Sequence, residues 1–186
     1  MANAVVEAAV ANDLFSWKPP ADWVEYRQPT LADGLIPPGS EAPDFTVTLL
    51  DGSHFRLSEQ RGKAVWLCFW RLACPPCRIE LPELDRLHER HGANGLVVVG
   101  VNFADDPSSA RRYLDAERIG FPNAADTSAA VQELYYRRYQ TLKGQSAVPL
   151  NYIIDREGRV ADAWYGYEKG SVAGRAALKR LGVVRR

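Results

Sequence analysis

From Ala64 to Trp70 the chain reads AVWLCFW, seven residues with no charge and no amide among them. A run this short, apolar and β-prone fits a strand buried on both faces, as in a parallel sheet that carries helices on each side. The next segment narrows the choice further. Cys74-Pro75-Pro76-Cys77 comes almost at once, and from Pro75 to about His91 the apolar Ile79, Leu84 and Leu87 recur at helical spacing with charges between them, with Gly92 as the expected stop. A buried strand hands over directly to an amphipathic helix.

The rest of the pattern repeats that theme. Gly95 to Phe103 (GLVVVGVNF) reads as a second buried strand, and Asp106-Pro107 supplies a cap and a first-turn proline for a helix to about Ile119. A further helix is expected from Thr127 to about Arg138. Asp44 to Leu50 and His54 to Leu57 flank the turn signal Asp51-Gly52 as one hairpin. Asn151 to Asp155 and Arg159 to Tyr165 flank Arg156-Glu157-Gly158 as another, and Ser171 to Leu181 closes the chain as a helix. Strands alternating with helices of this length imply an α/β domain, its central sheet covered on both faces and its parallel pairs joined by helical crossovers. Residues 1–40 do not share the pattern. They are Ala-rich to about Ala11 and then place Trp17, Trp23 and Tyr26 among prolines, which reads as an arm wrapped on the domain through its tryptophans.

Composition excludes several classes. Lysine plus arginine (23) balances aspartate plus glutamate (23) over 186 residues, so nothing suggests the phosphate neutralisation that nucleic-acid binding requires. No stretch approaches the ~20 apolar residues of a membrane span. The first residues make a poor secretory signal, because Glu7 interrupts the apolar run and no lysine or arginine precedes it. Three cysteines are too few for a disulfide scaffold, and their odd number leaves at least one unpaired.

Chemistry is therefore sought at Cys74 and Cys77. Cys74 falls at the expected helix N-cap with Pro75 at the first helical position, where its missing N–H costs nothing. Unpaired N–H groups and the positive end of the helix dipole favour a thiolate there, drawing its pKa from ~8.5 into the range of roughly 3.5–7.5 found at such sites. Cys74 is the expected nucleophile. Cys77, one turn inward, resolves the mixed disulfide that Cys74 would form with a partner. The same spacing is half of a zinc site, and His88 and His91 could complete it. Zinc is disfavoured because Pro-Pro starts a helix where a zinc finger needs a hairpin or knuckle. The two histidines are expected to be exposed near the helix end, and no metal or cofactor is implied.

These residues carry a resemblance to the thioredoxin-like proteins of the TlpA and ResA type, within the redoxin superfamily. The landmarks span about residues 38–182: Pro38-Gly39, Ala42-Pro43-Asp44-Phe45, Leu57-Ser58, Arg61-Gly62-Lys63, Phe69-Trp70, the Cys-Pro-Pro-Cys motif, Glu80-Leu81-Pro82, Pro149, Tyr152-Ile153-Ile154-Asp155 and Glu157-Gly158-Arg159. The resemblance implies a thioredoxin fold with a central mixed sheet flanked by helices and an added N-terminal hairpin, an arm over 1–37 and the domain over 38–186. It implies a thiol–disulfide oxidoreductase that exchanges electrons with protein dithiols or disulfides, as a reductant supplied by an upstream thiol donor, outside the cytoplasm. It makes Pro149 a cis-proline, with Val148, Trp70, Pro75 and Pro76 on the substrate-binding surface. It gives Glu80 the role of moving protons to and from the cysteines, which partial desolvation would support, and it makes Pro82 a kink in the helix.

Two departures from the family pattern stand out. Cys68 takes the strand position where thioredoxins keep a buried acid and is expected to be an inert buried thiol. Ala73 replaces the aromatic that usually precedes the first cysteine, which should expose Cys74 or reshape the partner groove. Two other functions use the same fold: a thiol peroxidase, which here lacks the Thr-x-x-Cys pattern because Arg71 stands in the threonine position, and a non-catalytic binding module that docks through the arm.

Overall fold

The computed structural model describes residues 20–23, 30–128, 130–136 and 147–184. The Ala-rich start, Trp17, Tyr26 and the end of the helix expected to reach Arg138 lie outside the described residues. Strands are β1 (Thr46–Thr48), β2 (His54–Arg56), β3 (Ala64–Trp70), β4 (Leu96–Asn102), β5 (Asn123–Ala125), β6 (Leu150–Ile154) and β7 (Val160–Tyr165). Helices are α1 (Pro75–His91), α2 (Pro107–Glu117), α3 (Ala130–Tyr135) and α4 (Val172–Arg180). The fold is α/β and thioredoxin-like: a five-stranded mixed sheet in the order β5-β4-β3-β6-β7, with β1 and β2 paired as a separate hairpin.

The apolar run of β3 explains this order. All seven of its residues are buried, so it takes the centre of the sheet, parallel to β4 and antiparallel to β6. Alternation then splits its side chains between two cores. Val65, Leu67 and Phe69 face a layer built by α3 and the β1–β2 hairpin, with Phe45, Phe55 and Tyr135. Ala64, Trp66, Cys68 and Trp70 face the other layer, where α1 supplies Leu81, Leu84 and Leu87 and α4 supplies Ala177 and Leu178. α4 approaches so closely that a Cβ at Gly174 would fall onto the six-membered ring of Trp66.

Helix ends follow local chemistry. Asp106 caps α2, accepting from the Ser108 and Ser109 N–H groups at 2.9 and 3.1 Å. α2 stops at Glu117 because Arg118 turns left-handed (φ 55°). α1 ends at His91 with Gly92 as its C-cap, the stop expected from the sequence, its N–H donating to the His88 carbonyl. Gly92, at φ −55°, then opens a short 3-10 turn over Gly92–Asn94 that the left-handed Gly95 (φ 85°) closes. Pro82 lies within α1. β5, three residues without a periodic pattern, has no counterpart among the strands expected from the sequence.

Next to the domain, residues 31–36 are held by apolar contact and hydrogen bonding. Leu35 and Ile36 pack on the α3-side core, and the Ile36 N–H donates to the Tyr152 hydroxyl at 3.2 Å. Trp23, expected to pack inward, is 63% exposed. Among the described residues no helix is long and apolar enough to cross a membrane.

Candidate active site

β3 and α1 bring the cysteines to the C-terminal end of the central strand. Trp70 ends the strand, Arg71 to Ala73 turn the chain, and Cys74 caps the helix with Pro75 as its first residue. Cys74 and Cys77 are joined as a disulfide, their Cα atoms 5.3 Å apart. The Cys77 N–H donates to Cys74 Sγ at 3.1 Å, so one of the orphan amides of the first turn is aimed at that sulfur. The preceding turn is pinned from β4: the Asp105 carboxylate accepts from the Leu72 N–H at 2.6 Å and from the Asn102 amide at 2.8 Å.

Ala73 is exposed, yet Cys74 is only 4% exposed, so the missing aromatic does not uncover the sulfur. Val148 provides the cover. Its carbonyl oxygen lies 3.5 Å from Cys74 Sγ, and its side chain packs on the same cluster as Leu72. The Val148–Pro149 bond is cis. Pro75 is exposed and Pro76 and Val148 partly so, which places a strip formed by these three residues at the surface over the buried Cys74. Trp70, expected on the substrate-binding surface, has no exposed area. Its indole N–H donates to Asn123 at 2.9 Å, so it supports the junction from beneath.

Behind the disulfide lies a buried polar cluster. Glu80, one turn beyond Cys77 in α1, is 1% exposed. Its carboxylate accepts from the Asn151 amide nitrogen at 3.0 and 3.1 Å and from the Cys68 thiol at 3.7 Å. Burial pushes the Glu80 carboxyl up to about 7, with the nearby Glu83 charge adding to the rise, while the Asn151 and Cys68 hydrogen bonds pull the other way. Cys68 is buried and unbridged. Burial first, and the Glu80 charge second, push its thiol well above the ordinary range.

The structure brings together Cys74, Cys77, Glu80 and the Val148–Pro149 pair, all expected from the sequence, and adds Asn151 and Trp66, which were not. The available signal was a lone amide in an otherwise apolar strand, Leu-Asn-Tyr-Ile-Ile, since a buried amide in a central strand needs partners. The histidines are also placed differently from expectation. His91 is buried and His88 half-buried, with the Val98 N–H donating to His88 Nδ1 at 3.4 Å, because the end of α1 presses on β4.

Comparisons with known proteins agree with this geometry. The AhpC/TSA family matches residues 38–163. The thioredoxin-like protein YneN of Bacillus subtilis is 31% identical over 147 residues, covering 77% of this chain and 81% of YneN. The thiol-disulfide oxidoreductase ResA of Bacillus thuringiensis is 27% identical over 128 residues, covering 69% of each chain. A crystal structure from Chlorobium tepidum, of a protein described as a thiol:disulfide interchange protein of DsbE type, superposes with a TM-score of 0.67 at 28% identity, covering 79% of this chain and 99% of that one. The chain thus belongs to the AhpC/TSA family and is a thiol–disulfide oxidoreductase of thioredoxin fold.

Proposed function

We propose that this oxidoreductase works as a reductant of protein disulfides, with Cys74 as the attacking thiol, Cys77 as the resolving thiol and Glu80 as the group that carries the proton. The observation that carries the proposal is the setting of the pair: Cys74 caps α1 and receives an amide N–H, while a buried carboxyl poised near neutrality stands one turn behind Cys77.

In the reduced protein the Cys74 thiolate attacks one sulfur of a substrate disulfide and expels the other as a thiolate. Cys77 passes its proton to Glu80 and attacks Cys74, closing the disulfide seen here and releasing the second substrate thiolate, which takes a proton back. Two electrons leave the cysteine pair and reduce the substrate. An upstream dithiol reverses the change on Cys74–Cys77. An extended substrate segment lies along Val148 and Pro149 opposite Pro75 and Pro76, a reading supported by the Val148 carbonyl 3.5 Å from the reactive sulfur. The setting we propose is extracytoplasmic, where disulfides persist and need such a reductant.

The test is reduction of insulin disulfides by the dithiol-charged protein. Wild type is expected to turn over and Cys74→Ser to fall to background. Turnover that survives this substitution would overturn the assignment. Titration in glutathione buffers gives the direction: a pair no more reducing than glutathione would exclude the reductant role.

A further inference from the structure

Glu80 needs a partner of fixed polarity, and the structure supplies one through a two-step relay. The Trp66 indole donates to Asn151 Oδ1 at 2.8 Å, and Asn151 Nδ2 donates to both Glu80 oxygens at 3.0 and 3.1 Å. Indole is a donor only, so an amide facing it must present its oxygen. The ambiguity of an asparagine, whose two ends look alike, is removed by chemistry. With Oδ1 turned to Trp66, the NH₂ end must face Glu80, and that end favours the ionised carboxylate. A flipped amide would present oxygen instead and favour the neutral acid. Asn151 is 0% exposed, so bulk solvent does not compete for either bond.

We propose that Asn151 is the positioning residue for Glu80, and that Trp66 fixes which end of its amide Glu80 meets. The inference rests on the proton-carrying role proposed above for Glu80. Trp66 is itself held, with Gly174 of α4 against its ring and Trp164 of β7 edge-on at 5.5 Å, so the relay ties the proton site to two elements remote from the cysteines. Other ionisable groups that face Glu80 are Cys68 from β3, Glu83 from α1, Tyr167 from the loop after β7 and, once reduced, Cys77. None of these can replace the Asn151 bonds: Cys68 donates only one long thiol bond, and the charge of Glu83 opposes ionisation.

The test tracks the Glu80 carboxyl by carbon NMR across pH, in parallel with the pH dependence of Cys74 alkylation in the reduced protein. Asn151→Leu, close in volume, is expected to move the Glu80 titration upward by about one to two pH units, the size of a lost hydrogen bond to a charged group. Trp66→Phe is expected to move it the same way by less, because the amide is then free to turn. An unmoved titration in folded Asn151→Leu protein would overturn the proposal. In the Glu80→Gln background, Asn151→Leu is expected to leave the alkylation profile where Glu80→Gln alone puts it; a further shift there would also overturn it. If Glu80→Gln leaves alkylation unchanged while Asn151→Leu still moves the Glu80 carboxyl, the positioning stands and the proton-carrying role fails.

Discussion

The two faces of the central sheet are built from the same strands and do different work. On β6, Leu150, Tyr152 and Ile154 face the α3-side core, whereas Asn151 turns to the α1 side and meets Glu80. On β3, Leu67 and Phe69 face the first core, whereas Cys68 and Trp66 face the second. Both cores are fully buried, but their polar groups differ. On the α3 side the hydroxyls end on backbone, Tyr135 donating to the Pro43 carbonyl at 2.8 Å and Tyr152 to the Tyr135 carbonyl at 3.0 Å, which fixes chain segments together. On the α1 side, Trp66, Asn151, Cys68 and Glu80 meet side chain to side chain, and burial pushes the Glu80 carboxyl up to about 7. A strand one residue out of register would exchange the two sets, so pairing register decides where chemistry is possible.

Substitutions on each face should separate these roles. The largest effect is expected at Cys77. Cys77→Ser should drop turnover to background and accumulate a mixed disulfide between Cys74 and substrate, visible as a higher-mass species under non-reducing conditions; turnover without trapping would break the assignment of roles.

Leu67→Ala, on the opposite face, should cost about 2–5 kcal/mol of stability in urea unfolding, the usual range for a buried leucine truncation. The pH profile of Cys74 alkylation should stay put. A moved profile would mean that the faces are coupled.

Glu80 gives an effect of intermediate size with a definite sign. Its folded pKa of about 7 lies above the ordinary 4.5, so the folded state holds the proton more tightly. Stability from this group is complete below pH 4.5, declines as pH rises through about 7 and is level beyond, a loss of roughly 3 kcal/mol. Glu80→Gln should flatten that decline in denaturant midpoints measured from pH 4 to 8. An identical decline in the variant would assign it to another group.

The smallest effect belongs to Tyr152→Phe, which removes the acceptor of the Ile36 N–H and the donor to the Tyr135 carbonyl. About 1–2 kcal/mol should be lost, and cleavage near residues 31–36 should speed up under limited proteolysis while turnover holds.

Much of this was legible in the sequence where the signal is local. The limits of β3 and the start of α1 follow from an apolar run and a Cys-Pro-Pro-Cys cap, and both are found at the expected residues. What escaped depends on contacts between distant segments. The burial of Cys74 depends on Val148, 74 positions away. The Trp66–Asn151–Glu80 relay joins three elements, so the lone amide of β6 could be noticed in the sequence but its partners could not be named.

Cys68 gives the molecule a way to report on itself. With Cys74 and Cys77 joined, it is the single remaining thiol of the chain, and it lies fully buried in the central strand with its ionisation suppressed. An alkylating reagent added to the oxidised protein therefore has nothing to label until β3 opens, and the labelling rate becomes a stopwatch for the deepest breathing of the sheet, read without any added probe.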